Sequence, residues 1–199
     1  MKSCTVMTPQ PNAHSHPGPV AIEQVSTRVI YENPWMTLHE DVIRRPDGSE
    51  GIYSYVAKPD FALIIPIAHG GFHLVEQYRY PVRHRSWEFP QGTLPNREHG
   101  DPLTLARREL AEETGLRAGR LYHLGDLHPA KGMSSQGFAV FVADNLEAGA
   151  HAREHEEQDM RQRWVSRSDF EQMIRDGLVT DDSTLAAYLL FLLRFQNPD

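Results

Sequence analysis

The stretch Arg107-Arg108-Glu109-Leu110-Ala111-Glu112-Glu113-Thr114-Gly115-Leu116, preceded by Gly92-Thr93-Leu94-Pro95-Asn96-Arg97-Glu98, decides how the rest of the chain is read. Its pattern predicts a helix over 103–114, stopped by Gly115, because glycine takes the left-handed conformation past a helix end at little cost. On a helix, Glu109 and Glu113 fall about 40° apart on successive turns, with Glu112 about 60° from Glu109 on its other side. Three carboxylates therefore share one edge, while Leu103, Ala106, Leu110 and Thr114 occupy the opposing arc and Leu110 and Leu116 anchor the helix to a core. Like charges at this spacing cost about 0.3 kcal/mol a pair, and the repulsion grows as acids crowd together. Hard divalent cations such as Mg2+ or Mn2+ take oxygen ligands and relieve it. Arg108 can pair with Glu112 at i, i+4. Gly92 lets the loop backbone approach closely enough for a carbonyl to complete a coordination shell. Arg-Glu-Leu-x-Glu-Glu alone is an ordinary solvated helix face. The strand ending in Glu88-Phe89-Pro90-x-Gly92, the looped Glu98 and the Thr-Gly-Leu stop set this one apart.

Upstream, 61–68 is nearly all apolar and reads as a strand buried on both faces. His69-Gly70-Gly71 forms a hairpin turn, 72–80 the partner strand ended by Pro81, and Trp87 to Gly92 then leads into a loop. Three short β-rich runs at 27–31, 36–42 and 52–56 are separated by Glu32-Asn33-Pro34 and Arg45-Pro46-Asp47-Gly48, giving a small antiparallel subdomain over 21–58. Such a sheet is marginal alone and should pack on something else. Residues 1–20 hold four prolines, His14, His16 and Cys4 without periodic apolar residues, and read as a disordered tail. Downstream, strands are expected at 137–143 and 162–165. Ser168-Asp169-Phe170-Glu171 has the form of a capping box opening a helix that Gly177 closes. A last helix runs over 183–195, and its unbroken apolar stretch 185–193 suits a core or dimer helix. The fold class is α+β.

The 199 residues carry 20 Lys and Arg against 27 Asp and Glu, a net charge of −7, which argues against a nucleic-acid partner. Hydrophobic and charged fractions of 40% and 24% are those of a globular chain. A single cysteine excludes an internal disulfide framework and a cysteine-built metal site. The longest apolar run is far shorter than the about 20 residues a bilayer span needs, and no signal segment opens the chain, so a cytoplasmic protein without a membrane partner is expected.

The two quoted segments resemble the Nudix box, Gly-x5-Glu-x7-Arg-Glu-U-x-Glu-Glu-x-Gly-U, in which U is a bulky aliphatic residue. Gly92 to Glu98 and Arg108 to Leu116 match its fixed positions, and the spacer between Glu98 and Arg108 is two residues longer. The insertion falls before the helix, so the acidic edge should survive, with Glu98 displaced. Glu76-Gln77-Tyr78-Arg79 and Trp87-Glu88-Phe89-Pro90 resemble the ADP-ribose pyrophosphatase branch. The resemblance implies a Nudix domain over 59–199, an α/β/α sandwich around a mixed sheet, and a homodimer built through the N-terminal β-subdomain. It also implies Mg2+-dependent (or Mn2+-dependent) hydrolysis of a nucleoside diphosphosugar, with ADP-ribose the leading substrate. GDP-mannose, a dinucleoside polyphosphate, or a non-catalytic nucleotide-sugar regulator stand as alternatives. Glu109, Glu112 and Glu113 would hold two or more ions, with the Gln91 carbonyl a further ligand and Arg108 supporting the set. Arg79, whose planar fork suits phosphate, is a substrate contact or a structural ion pair; Glu88 would touch substrate. The branch often uses a loop glutamate as base. Here Gln136 stands in that place and cannot take a proton at neutral pH. An acid of Glu156-Glu157-Gln158-Asp159, a box glutamate, or the metal alone would then activate water.

Overall fold

A computed structural model describes residues 22–93, 100–149 and 159–195. The N-terminal strands β1 (Glu23–Asn33), β2 (Met36–Arg44) and β3 (Glu50–Ala57) form an antiparallel meander. Its turns follow the expected chemistry. Asn33 Oδ1 accepts the backbone N–H groups of Trp35 and Met36, Asp47 Oδ1 accepts that of Ser49, and Gly48 sits at φ 82°. β1 and β2 run longer than expected, and two register shifts in their pairing take up the two residues by which β1 exceeds β2.

The second sheet has seven strands in the order β10-β5-β4-β9-β8, with β6 on β5 and β7 on β4. They are β4 (Phe61–Ala68), β5 (Gly71–Arg79), β6 (His84–Glu88), β7 (Gln91–Thr93), β8 (Leu116–Leu127), β9 (Phe138–Ala148) and β10 (Arg161–Ser166). The sheet is mixed, since β4 runs parallel to β9 and antiparallel to β5 and β7. Central β4 divides its side chains by the period of two. Ala62 and Ile64 pack with Leu105, Ala106 and Leu110 of α1 (Pro102–Thr114). Leu63 and Ile65 pack with Phe170 of α2 (Arg167–Arg175) and Tyr188 and Phe191 of α3 (Asp182–Phe195). Helices thus cover both faces, and both patterns, period two in β4 and 3.6 in α1, converge on one α/β/α sandwich.

Three features differ from expectation. β8 is a full strand where none was expected; it is a half-exposed edge strand, interrupted by Gly119 and by a register shift before Gly125. The strand expected to end in Glu88-Phe89-Pro90-x-Gly92 is two short strands, β6 and β7, separated by Phe89-Pro90. The cap of α2 is Ser166 rather than Ser168: β10 runs straight into the helix, and the Ser166 side chain accepts the Asp169 N–H. Residues 1–20, Glu98, Glu156, Glu157 and Gln158 lie outside the described residues.

Candidate active site

The first turn of α1 is set by Asp101, whose carboxylate accepts the Thr104 N–H at 3.0 Å and its hydroxyl at 2.8 Å, with Pro102 next to it. Its end is set by Gly115 at φ 69°, whose N–H returns to the Ala111 carbonyl. Between these caps the acidic edge forms. Arg108 Nε meets Glu112 Oε1 at 2.7 Å, an i, i+4 pair on a partly exposed flank. Glu109 and Glu113 are turned inward, 5% and 1% exposed. They face the β6–β7 chain: the Gln91 N–H donates to Glu113 Oε2 at 3.1 Å. A Cβ built on Gly92 would stand 2.6 Å from the Glu109 Cδ and closer still to Oε2. Only glycine permits that approach. β4 holds this segment from behind, through pairing of Leu63 with Gln91 and of Ala62 with Gly92 and through the Ile64 N–H on the Pro90 carbonyl.

Two buried carboxylates on successive turns, against a bare stretch of peptide backbone, form an all-oxygen donor set of the kind Mg2+ and Mn2+ take. Among the described residues no three acidic, histidine or cysteine side chains are gathered into a complete metal site. Glu112 is engaged by Arg108, and Glu98 lies outside the described residues.

Next to this edge stands a second acidic centre. Glu88 is 1% exposed; its Oε1 accepts from Gln77 Nε2 at 2.7 Å and pairs with Arg79 Nη2 at 2.5 Å. Burial pushes its carboxyl above the usual range, and the charge of Asp181 adds to this. The Arg79 guanidinium and the Gln91 amide oppose it. Arg79 therefore holds a structural ion pair, while its side chain stays 44% exposed, accessible to a ligand. The Gln91 side chain joins the two centres, with Nε2 on Asp181 Oδ2 at 3.2 Å. Trp87 packs against the core beneath the Arg163 guanidinium, 4.3 Å from its ring centre. Gln136 sits at the junction with the N-terminal sheet, its Nε2 on the Pro59 carbonyl at 2.6 Å. There the β3 backbone at Val56 also pairs with Met133 and Ser135. Asp159 is bound to Arg85.

Sequence reasoning missed Gln77 and Asp181. The first is signalled only by strand register. The second, opening the Asp-Asp-Ser-Thr start of the last helix, reads as a cap, and nothing local ties it to Gln91.

The NUDIX domain family matches residues 58–188, and the nucleoside diphosphate sugar hydrolase N-terminal domain family matches residues 22–56. An ADP-ribose pyrophosphatase from Mycobacterium tuberculosis is 31% identical over 171 residues, covering 84% of this chain and 81% of that protein. A CMP-5'-(N-acetyl-N-hydroxy-3-aminopropyl)phosphonate hydrolase from Streptomyces rubellomurinus is 26% identical over 167 residues, covering 83% and 79%. The crystal structure of an ADP compounds hydrolase superposes with a TM-score of 0.75 at 20% identity, covering 87% of this chain and 92% of that one, and so shares the fold. With a NUDIX domain over most of its length and its acidic helix pressed against a glycine backbone, this chain belongs to the Nudix family of pyrophosphohydrolases.

Proposed function

We propose that the chain is a Mg2+-dependent hydrolase of nucleoside diphosphosugars, with ADP-ribose cleaved to AMP and ribose 5-phosphate. The observation that carries this reading is the pair of buried glutamates, Glu109 and Glu113, held against the Gln91-Gly92 backbone. The match of residues 22–56 to the nucleoside diphosphate sugar hydrolase N-terminal domain supports the substrate class. Glu109, Glu112, Glu113 and the Gln91 carbonyl would hold Mg2+ or Mn2+, two or more ions. Bound there, the metal supplies charge neutralisation on the diphosphate and lowers the pKa of water. Arg108 fixes Glu112. Arg79 turns its exposed guanidinium to the phosphate or ribose, and Glu88, held from behind, orients Arg79 toward it. Gln136 acts on the substrate side by fixing the loop before β9 to Pro59. Water gives a proton to a carboxylate of the site and adds to phosphorus, the bridging P–O bond breaks, and the departing phosphate keeps the bond electrons.

The same reading divides the chain into a tail over 1–20, a β-subdomain over 21–58 and the catalytic domain over 59–199. It makes the protein a homodimer through the β-subdomain. No helix among the described residues is long and apolar enough to cross a membrane. The single cysteine and net charge of −7 support a cytoplasmic enzyme with no nucleic-acid partner. The test is a substrate panel of ADP-ribose, GDP-mannose and a dinucleoside polyphosphate, with Glu113→Gln as control. Turnover is expected to be fastest on ADP-ribose and to fall about a hundredfold or more in the variant, several kcal/mol of charge stabilisation being at stake. Activity within about threefold of wild type (~0.6 kcal/mol) in the variant would refute the role given to Glu113.

A further inference from the structure

Gln91 enters the proposed chemistry through its backbone alone, yet its side chain is anchored. Nε2 donates to Asp181 Oδ2, and the same amide stands close enough to Glu88 to favour its ionised form. Asp181 Oδ2 also accepts the Thr184 N–H at 2.7 Å, and the Asp181 carbonyl accepts the Leu185 N–H at 3.1 Å, so this residue caps α3. Thr184, fully buried, accepts the Phe89 N–H on its Oγ1 at 3.0 Å. The first turn of α3 thus grips the Phe89-Pro90-Gln91 segment at both ends, by backbone at Phe89 and by side chain at Gln91. Farther back the grip continues, with the Trp87 N–H on the Leu178 carbonyl and the Thr180 N–H on Ser86 Oγ. The segment so held offers the Gln91 N–H to Glu113 and runs directly into Gly92, whose bare Cα faces Glu109.

We propose that Asp181 is a positioning residue of the active site: one carboxylate oxygen caps α3 and holds the Gln91 amide, and thereby fixes the backbone against which Glu109 and Glu113 take a divalent cation. The proposal rests on the reading of those two glutamates as cation ligands. Outer hydrogen-bond partners of this kind decide whether ligands already point the right way when an ion arrives. A plain helix cap would serve α3 alone and leave Gln91 without consequence, and that difference is measurable.

The experiment is a Mn2+ titration of the full chain without substrate, free ion being read by electron paramagnetic resonance. It compares wild type, Asp181→Ala, Asp181→Asn, Gln91→Leu and the double variant Asp181→Ala/Gln91→Leu. Asp181→Ala and Gln91→Leu are each expected to weaken binding about tenfold, in the range that loss of such partners costs. The double variant is expected to be no weaker than the worse single one, since both cut the same link. Asp181→Asn keeps an acceptor oxygen for Thr184 and Gln91, so it recovers most of the loss. Gln91→Leu keeps the α3 cap, so its binding defect is expected without the fall in melting temperature that Asp181→Ala shows. Wild-type Mn2+ affinity in Gln91→Leu, or losses that multiply in the double variant, would overturn the proposal and leave Asp181 a cap. A wild-type protein that binds no Mn2+ would overturn the cation-site reading and this proposal with it. Tight Mn2+ binding without cleavage of any diphosphate in the panel would overturn only the substrate assignment, and the variant comparison would still decide the role of Asp181.

Discussion

Gly92 and Gly71 both lie on strands with no room for a Cβ, but for different reasons. A Cβ at Gly71 would strike the Val165 carbonyl and the Trp164 ring, parts of the neighbouring strand β10. At Gly92 what it meets is the far end of a side chain, the Glu109 carboxylate. Gly92→Ala is therefore expected to move that carboxylate and spare the fold. Turnover should fall about tenfold or more (~1.4 kcal/mol) with little change in melting temperature. Wild-type turnover in this variant would show that the Glu109 position does not matter. The shared acidic edge and the Arg108–Glu112 pair are legible in the sequence because helical periodicity alone places them. The setting of Glu88 is not: Gln77 and Arg79 reach it across the pairing of β5 with β6, and strand register is not written in a short apolar run. Asp181 is farther still, since only the packing of α3 brings it to Gln91.

At the scale of elements, α2 and α3 are tied by polar contacts of Tyr188 within an aromatic cluster. The Tyr188 hydroxyl donates to Glu171 Oε1 at 2.6 Å, while its ring meets Phe72 and Phe170 edge-on. Burial, and then the bond to Glu171, push the Tyr188 pKa from 10.0 up to about 12. A folded-state pKa raised above the unfolded one gives stability that is whole below the unfolded value and lost as pH rises through the folded one. The melting-temperature difference between wild type and Tyr188→Phe should therefore be flat from neutral pH to about pH 10 and shift against the wild type by about pH 12. A difference independent of pH across that window would show that Tyr188 titrates normally. Most elements are legible because their patterns are strong: β4 as an apolar run, α1 by its acids and caps, and the meander turns by Asn33 and Asp47-Gly48. β8 is not, because an edge strand needs no apolar alternation and its glycines read as breaks. Nor is the Ser166 cap, since β10 and α2 share no loop to announce the change.

For the molecule as a whole, the N-terminal sheet is the feature a single chain leaves unfinished. β1 is exposed along nearly all its length, and Val29, Ile30, Trp35 (71%) and Ile52 (66%) present apolar surface. The register sets Val29 and Ile52 on opposite faces, so both sides of this sheet are open to a second chain, in line with the proposed homodimer. Light scattering during gel filtration is expected to give twice the mass of one chain, and Ile52→Asp combined with Val29→Asp to give single chains. A monomeric wild type would refute the dimer and leave the catalytic reading in place. That reading has its most direct test in its products. The protein is incubated with ADP-ribose and Mg2+, with a chelator in a parallel sample, and the nucleotides are separated by anion exchange. AMP matched one to one by ribose 5-phosphate, and formed only with the metal, is the expected result. Absence of AMP from folded protein that binds Mn2+, or AMP formed equally under chelation, would contradict it.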